Sequence, residues 1–177
     1  GYHARTPDEY DRSLCLITRD VVDFVLATQP SEWKKLKEHH GERIREKFAS
    51  RVSKEIANRG ALEVLRNGVK DMGCKFDLAS FRPSSGLNEE LANLHAANLF
   101  AVVRQLKYSE ANENSLDLCL FLNGIPIFTA ELKNLLTGQN VEDAMAQYKG
   151  DRDPREPLFK YGRMLAHFAV DSDLVYV

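Results

Sequence analysis

No Cys-x-x-Cys pair occurs in the 177 residues, and the three cysteines, Cys15, Cys74 and Cys119, are scattered. An odd, unpaired set builds no disulfide framework, so reduced thiols in a cytoplasmic setting are expected. The five histidines (His3, His39, His40, His95, His167) lack the spacing of zinc ligands, which argues against a zinc site. A Gly-x-x-x-x-Gly-Lys-Ser/Thr phosphate loop is missing too, so this stretch is not a nucleotide-driven motor of that class. No apolar run is long enough to span a membrane, no targeting segment is visible, and nothing repeats. A net charge of −2 gives no overall attraction to polyanions.

What is present suits one α/β domain. Hydrophobic residues make up 44% of the chain, enough for a real core at this length. The final residues, 174–177, are apolar, and the chain reads as a fragment of something longer. Charge is uneven. Residues 31–75 carry twelve Lys and Arg against seven Asp and Glu, a balance of +5 that leaves −7 elsewhere. Such density is a usable electrostatic footprint, although a solvated helix face also explains it.

Residues 1–70 are expected to be mostly helical and residues 75–177 to hold the core. After an arm without periodicity over residues 1–17, Thr18 can cap a helix to about Thr28, which Pro30 breaks. Ser31 can cap a second helix through His40. A third runs over residues 42–58, with Ile44, Phe48, Val52 and Ile56 on one face. Residues 60–68 are ambiguous between helix and turn. A strand over 75–81, a loop at 83–86 and a helix over 87–97 striped by Leu87, Leu91 and Leu94 follow. Residues 98–107 read as a strand. Beyond a loop at 137–140, a helix spans 141–149, and residues 164–170 and 174–177 read as strands.

The chain is organised around Asn114 to Asn134, NSLDLCLFLNGIPIFTAELKN. Residues 116–122 and 126–133 read as strands around Asn123-Gly124, a strong hairpin signal. Asp117, Glu131 and Lys133 interrupt this apolar pair, and a buried charge must be paired or hold a metal. A two-residue loop would set Asp117 against Ala130 and turn Glu131 to the other face. A three-residue loop over Leu122, Asn123 and Gly124 would set Asp117 against Thr129 and gather all three charges on one face. A shared site therefore requires the odd-length turn, the expected form. Polar residues that end at the rim of a central strand pair are the alternative, but three charges at this spacing favour a site suited to Mg²⁺ and phosphate.

Asp117-x13-Glu131-x-Lys133 resembles the PD-(D/E)xK nuclease signature. The hairpin, the following VEDAMAQYKGDRDPREPLFKYGRMLAHFAVD, and the upstream QPSEWKKLKEHHG and RGALEVLRNGVKDMG resemble the N-terminal nuclease domain of the restriction (motor) subunit of type I restriction-modification enzymes. The resemblance covers nearly the whole chain. It implies a restriction-endonuclease-like core with a central mixed sheet flanked by helices. It also implies Mg²⁺-dependent cleavage of unmodified double-stranded DNA, with Mn²⁺ as a substitute. Cleavage would follow ATP-driven translocation by motor domains outside this stretch, alongside methyltransferase and specificity subunits.

By that resemblance Asp117 and Glu131 are metal ligands, with the Leu132 main-chain carbonyl a third, and Lys133 orients water or stabilises the phosphorane-like charge. Lys133 can equally neutralise the two carboxylates. Many related nucleases carry Gln-x-x-x-Tyr in the next helix. Here Gln147 precedes Tyr148 directly and Asp151 stands four residues on, so the motif is absent as usually written. Gln147 remains an auxiliary or DNA-contacting candidate. Arg152, with Arg155 and Arg163, can bind phosphates, or pair locally with Asp151, Asp153 and Glu156. Glu89 and Glu90 suit a helix start, although an upstream helical acid assists in some relatives. A catalytically silent module of the same fold, kept for DNA or subunit contacts, is the alternative function; a stand-alone repair or transposition nuclease fits the flanking sequence less well.

Overall fold

Six strands make one mixed sheet in the computed structural model, which describes residues 1–84, 88–134 and 138–177. In spatial order these are β1 (His3–Arg5), β4 (Phe100–Lys107), β5 (Ser115–Leu122), β6 (Ile125–Leu132), β7 (Ala166–Val170) and β8 (Val175–Tyr176). β1 runs parallel to β4 and β7 parallel to β6, while the other neighbours are antiparallel. β2 (Val69–Asp71) and β3 (Cys74–Phe76) form a separate hairpin. The strand expected over 75–81 is thus cut to β3 and leaves the main sheet. Gln29 explains the cut: its amide accepts from the Asp77 N–H at 2.7 Å and donates to the Asp77 carbonyl at 2.8 Å, taking both groups a ladder would use.

The helices are α1 (Thr18–Thr28), α2 (Pro30–His40), α3 (Ile44–Arg59), α4 (Ala61–Asn67), α5 (Glu89–Ala96) and α6 (Val141–Gly150). Pro30 opens α2 rather than merely ending α1, because the first helical position needs no N–H donor. The ambiguous stretch is α4, bounded by Gly60 and Gly68. On α5 the leucine stripe fails: no residue of this helix is buried, Leu91 is exposed, and Leu87 lies outside the described residues. So do Ser85, Gly86 and Thr137, on which parts of the expected loops fall. The arm over 1–17 holds β1, too short to show a period, which Arg5 ties to buried Asp20 at 3.0 and 3.1 Å.

Two cores sandwich the sheet. Ile44, Phe48, Val52 and Ile56 of α3 join Val21, Val25, Trp33 and Leu36 against Ile125 and Ile127, with Leu120, Leu122 and Phe128 packed beside them. Successive side chains of a strand point to opposite faces. Phe128 packs against this helical layer, whereas Thr129 meets Tyr148 of α6, so α6 covers the other face. That second face holds Val103, Leu106, Tyr108, Leu116, Cys119, Phe121 and Leu158. The expected α/β architecture, a central mixed sheet with helices on both sides and a helical N-terminal region, is present. Among the described residues no helix is long and apolar enough to cross a membrane.

Candidate active site

The central hairpin converges its charges by a route other than the expected turn. Leu122 pairs with Ile125, so the loop has two residues. Asn123 and Gly124 both have positive φ, 50° and 79°, the backbone of a turn whose twist matches the strands. The missing residue enters further on. Phe121 pairs with Pro126 but Leu120 with Phe128, so Ile127 forms a bulge in β6. Pro126 has no N–H for the ladder, and a bulge is where a strand tolerates proline. Below the bulge Cys119 faces Thr129 and Leu118 faces Ala130. Continuing that register brings Asp117 opposite Glu131, not Thr129.

Asp117 is half-buried and held at both carboxylate oxygens. The Leu132 N–H donates to Oδ2 at 2.8 Å and Gln105 Nε2 to Oδ1 at 2.9 Å. Gln105 in turn accepts from Ser115 Oγ at 3.1 Å. Its φ of 50° is a left-handed conformation that a non-glycine residue adopts at a cost, and the strand's inward phase breaks there. Arg104, Gln105, Asp117, Leu118 and Leu132 line an open cleft of about 390 Å³. Sequence reasoning missed Gln105, because nothing in its neighbours marks a reversed backbone.

Glu131 is buried, 1% exposed, and forms an ion pair with Arg152, itself 7% exposed. Arg152 also donates to the Ser115 carbonyl at 2.8 Å and to Tyr108 Oη at 3.2 Å. It is therefore committed to the interior rather than offered to a phosphate. Arg163 is likewise buried, donating to the carbonyls of Leu14, Cys15 and Ser53, and Arg155 pairs locally with Asp153 at 2.8 Å. Lys133 does not neutralise either carboxylate: its Nζ donates to Gln147 Oε1 at 2.7 Å. Gln147 thus sets the direction of Lys133 from the facing helix. Tyr148, Thr129 and His167 form a partly buried polar chain near Glu131, with contacts of 2.8 and 2.7 Å. Burial holds the His167 imidazole neutral, lowering its pKa. Glu89 and Glu90 are exposed in the first turn of α5, which Asn88 caps.

Burial pushes the Glu131 carboxyl up to about 7 from an ordinary 4.5; Arg152 opposes the rise and Asp117 adds to it. The folded state therefore binds this proton more tightly than the unfolded chain. The stability so gained is complete below about pH 4.5 and lost as pH rises through about 7. In chelator-treated buffer the wild type should lose roughly 3 kcal/mol relative to Glu131→Gln across that window. Urea midpoints across a pH series test this, and parallel profiles for the two proteins would refute it.

Among the described residues no cluster of three or more His, Cys, Asp or Glu side chains forms a metal site. The oxygens that could hold a cation are those of the two opposed carboxylates and the neighbouring Leu132 carbonyl. Hard oxygen donors and an anionic pair whose charge raises the Glu131 pKa fit a divalent cation of the magnesium type.

The fold and the site define a class of α/β domain, a mixed sheet with a carboxylate pair and an adjacent lysine on its central hairpin. Within that class, the family model described as "Type I restriction enzyme R protein N terminus" matches residues 25–177, and the chain belongs to that family. Comparison with curated proteins and with solved structures found no match.

Proposed function

We propose that this domain is the Mg²⁺-dependent DNA-cleaving part of a type I restriction enzyme R subunit. The observation that carries the reading is Asp117 opposite Glu131, with Lys133 two residues on and held by Gln147. Asp117, Glu131 and the Leu132 carbonyl would hold the cation. When bound, it would neutralise phosphate charge and lower the pKa of a coordinated water. Gln105 and the Leu132 N–H fix the Asp117 carboxylate, so a ligand atom waits in place. Arg152 keeps one Glu131 oxygen in position without taking part in the chemistry. Lys133 Nζ orients the attacking water or stabilises charge on the scissile phosphate. ATP-driven translocation belongs to motor domains of the complete subunit, and sequence reading to a partner subunit beside the methyltransferase.

One observation favours the silent-module reading. Arg152 already neutralises Glu131, which weakens its pull on a cation. Plasmid nicking with Mg²⁺ or Mn²⁺ separates the two. The chain alone should nick weakly, without sequence preference, and only with metal. Activity should fall at least a hundredfold in Asp117→Ala and Lys133→Ala. Calorimetry should show Mn²⁺ binding to the wild type and none to Asp117→Ala. Equal Mn²⁺ binding by both proteins would remove Asp117 from the site. Absence of nicking, even in the assembled complex, would establish the silent module.

A further inference from the structure

The outer face of α3 is the strongest feature that the candidate active site leaves unused. Its inner face is set by Ile44, Phe48, Val52 and Ile56. At 100° per residue, Arg43, Lys47, Ser50 and Lys54 fall on the opposite side, with Arg51 at the flank. The stripe runs roughly 16 Å along the helix at 1.5 Å per residue. With His39, His40, Asp71 and Met72 these residues line a groove of about 590 Å³ between α3, the end of α2 and the β2–β3 turn.

The arrangement differs from an ordinary solvated face. A helix gains from opposite charges at i, i+4 and loses from like charges there. Arg43, Lys47 and Arg51 are successive like charges at that spacing. The two acids of the groove are both engaged, Glu46 by Arg43 at 3.2 Å and Asp71 by His40 at 2.8 Å. Arg51 pairs with Glu55 at 3.2 Å and donates to the Lys70 carbonyl. Lys47 and Lys54 form no ion pair with any described residue, so two full ammonium charges sit in the groove uncompensated. The protein as a whole carries a net charge of −2, so attraction of a polyanion depends on local basic surfaces such as this one.

We propose that this groove binds the phosphodiester backbone of double-stranded DNA. The choice of DNA rests on the proposed nuclease function. A row of lysine and arginine groups with a serine hydroxyl suits phosphate oxygens and reads no base, so the contact is a register for the duplex rather than a source of specificity. Cation release on binding makes it salt-dependent.

Fluorescence anisotropy of a short labelled duplex with the chain, over a salt series, tests the assignment. Lys47→Glu with Lys54→Glu should weaken binding at least tenfold and reduce the slope of log K against log salt by about two. Lys47→Arg with Lys54→Arg should bind like the wild type. Both positions are on the outer helix face, so folding is preserved. Unchanged affinity and slope in the glutamate variant would overturn the groove. Equal competition by polyglutamate of matching charge would overturn the phosphodiester assignment. Asp117→Ala separates this proposal from the nuclease reading, since it should bind duplex normally while losing metal-dependent nicking. Duplex binding that depends on Lys47 and Lys54, with no nicking even in the assembled complex, would uphold the groove and defeat the nuclease. Metal-dependent nicking with binding indifferent to the two lysines would do the reverse.

Discussion

Gly124→Ala should destabilise the fold by roughly 3–5 kcal/mol, near the upper end for a single substitution. A Cβ at Gly124 would lie 2.3 Å from the Ile17 carbonyl oxygen and 2.8 Å from the Val21 nitrogen. Both contacts are backbone at the start of α1, so no side chain can swing aside. The close approach has a structural purpose: the Ile17 N–H donates to the Gly124 carbonyl at 2.9 Å, docking the hairpin tip onto the helix. Gly73 supplies the control. It has a similar φ of 83° but nothing within 4 Å of its added Cβ, so Gly73→Ala should cost only the left-handed strain, about 1 kcal/mol. Urea denaturation of the two variants would separate strain from collision. Equal losses would mean that the docking contact contributes nothing.

The second large effect lies in the Arg152–Glu131 pair. Arg152→Ala should cost about 3–5 kcal/mol at alkaline pH, because it leaves a buried carboxylate alone. The penalty should shrink as pH falls through about 7, because Glu131, relieved of the guanidinium that lowers its pKa, takes up a proton at a higher pH than in the wild type. Arg152→Met combined with Glu131→Leu should recover most of the stability, since apolar replacement of a buried pair is often neutral. A double-mutant cycle measures the coupling. Full stability of Arg152→Ala at alkaline pH would show that the pair does not hold the site together.

The sequence made the hairpin plain, because Asn-Gly between apolar runs is a local signal and a turn forms locally. Periodicity likewise placed the buried stripe of α3, where four residues at one spacing share a face. Asp117, Glu131 and Lys133 were identifiable because charge inside an apolar strand is anomalous. Their geometry was not: Ile127, an ordinary apolar residue, forms the bulge, and only the register shows it. The partner of Glu131 was hidden for a different reason. Arg152 stands among Asp151 and Asp153, which suggested local pairing, and only the packing of α6 over β6 brings it inward. β1 depends on a partner distant in the chain, so no window along the sequence contains it, and nothing beside Gln105 marks its reversed backbone.

Arg163, buried with no carboxylate partner among the described residues, has a consequence for how the protein folds. It joins the carbonyls of Leu14 and Ser53, 149 and 110 residues earlier in the chain. β1 adds a second distant closure by pairing His3 with Ala101. Contacts of this range meet their loop-closure entropy before they contribute, and they close late. The β5–β6 hairpin, by contrast, needs only its own turn. The N-terminal arm is therefore fastened late: its clasp cannot shut until residue 163 has left the ribosome.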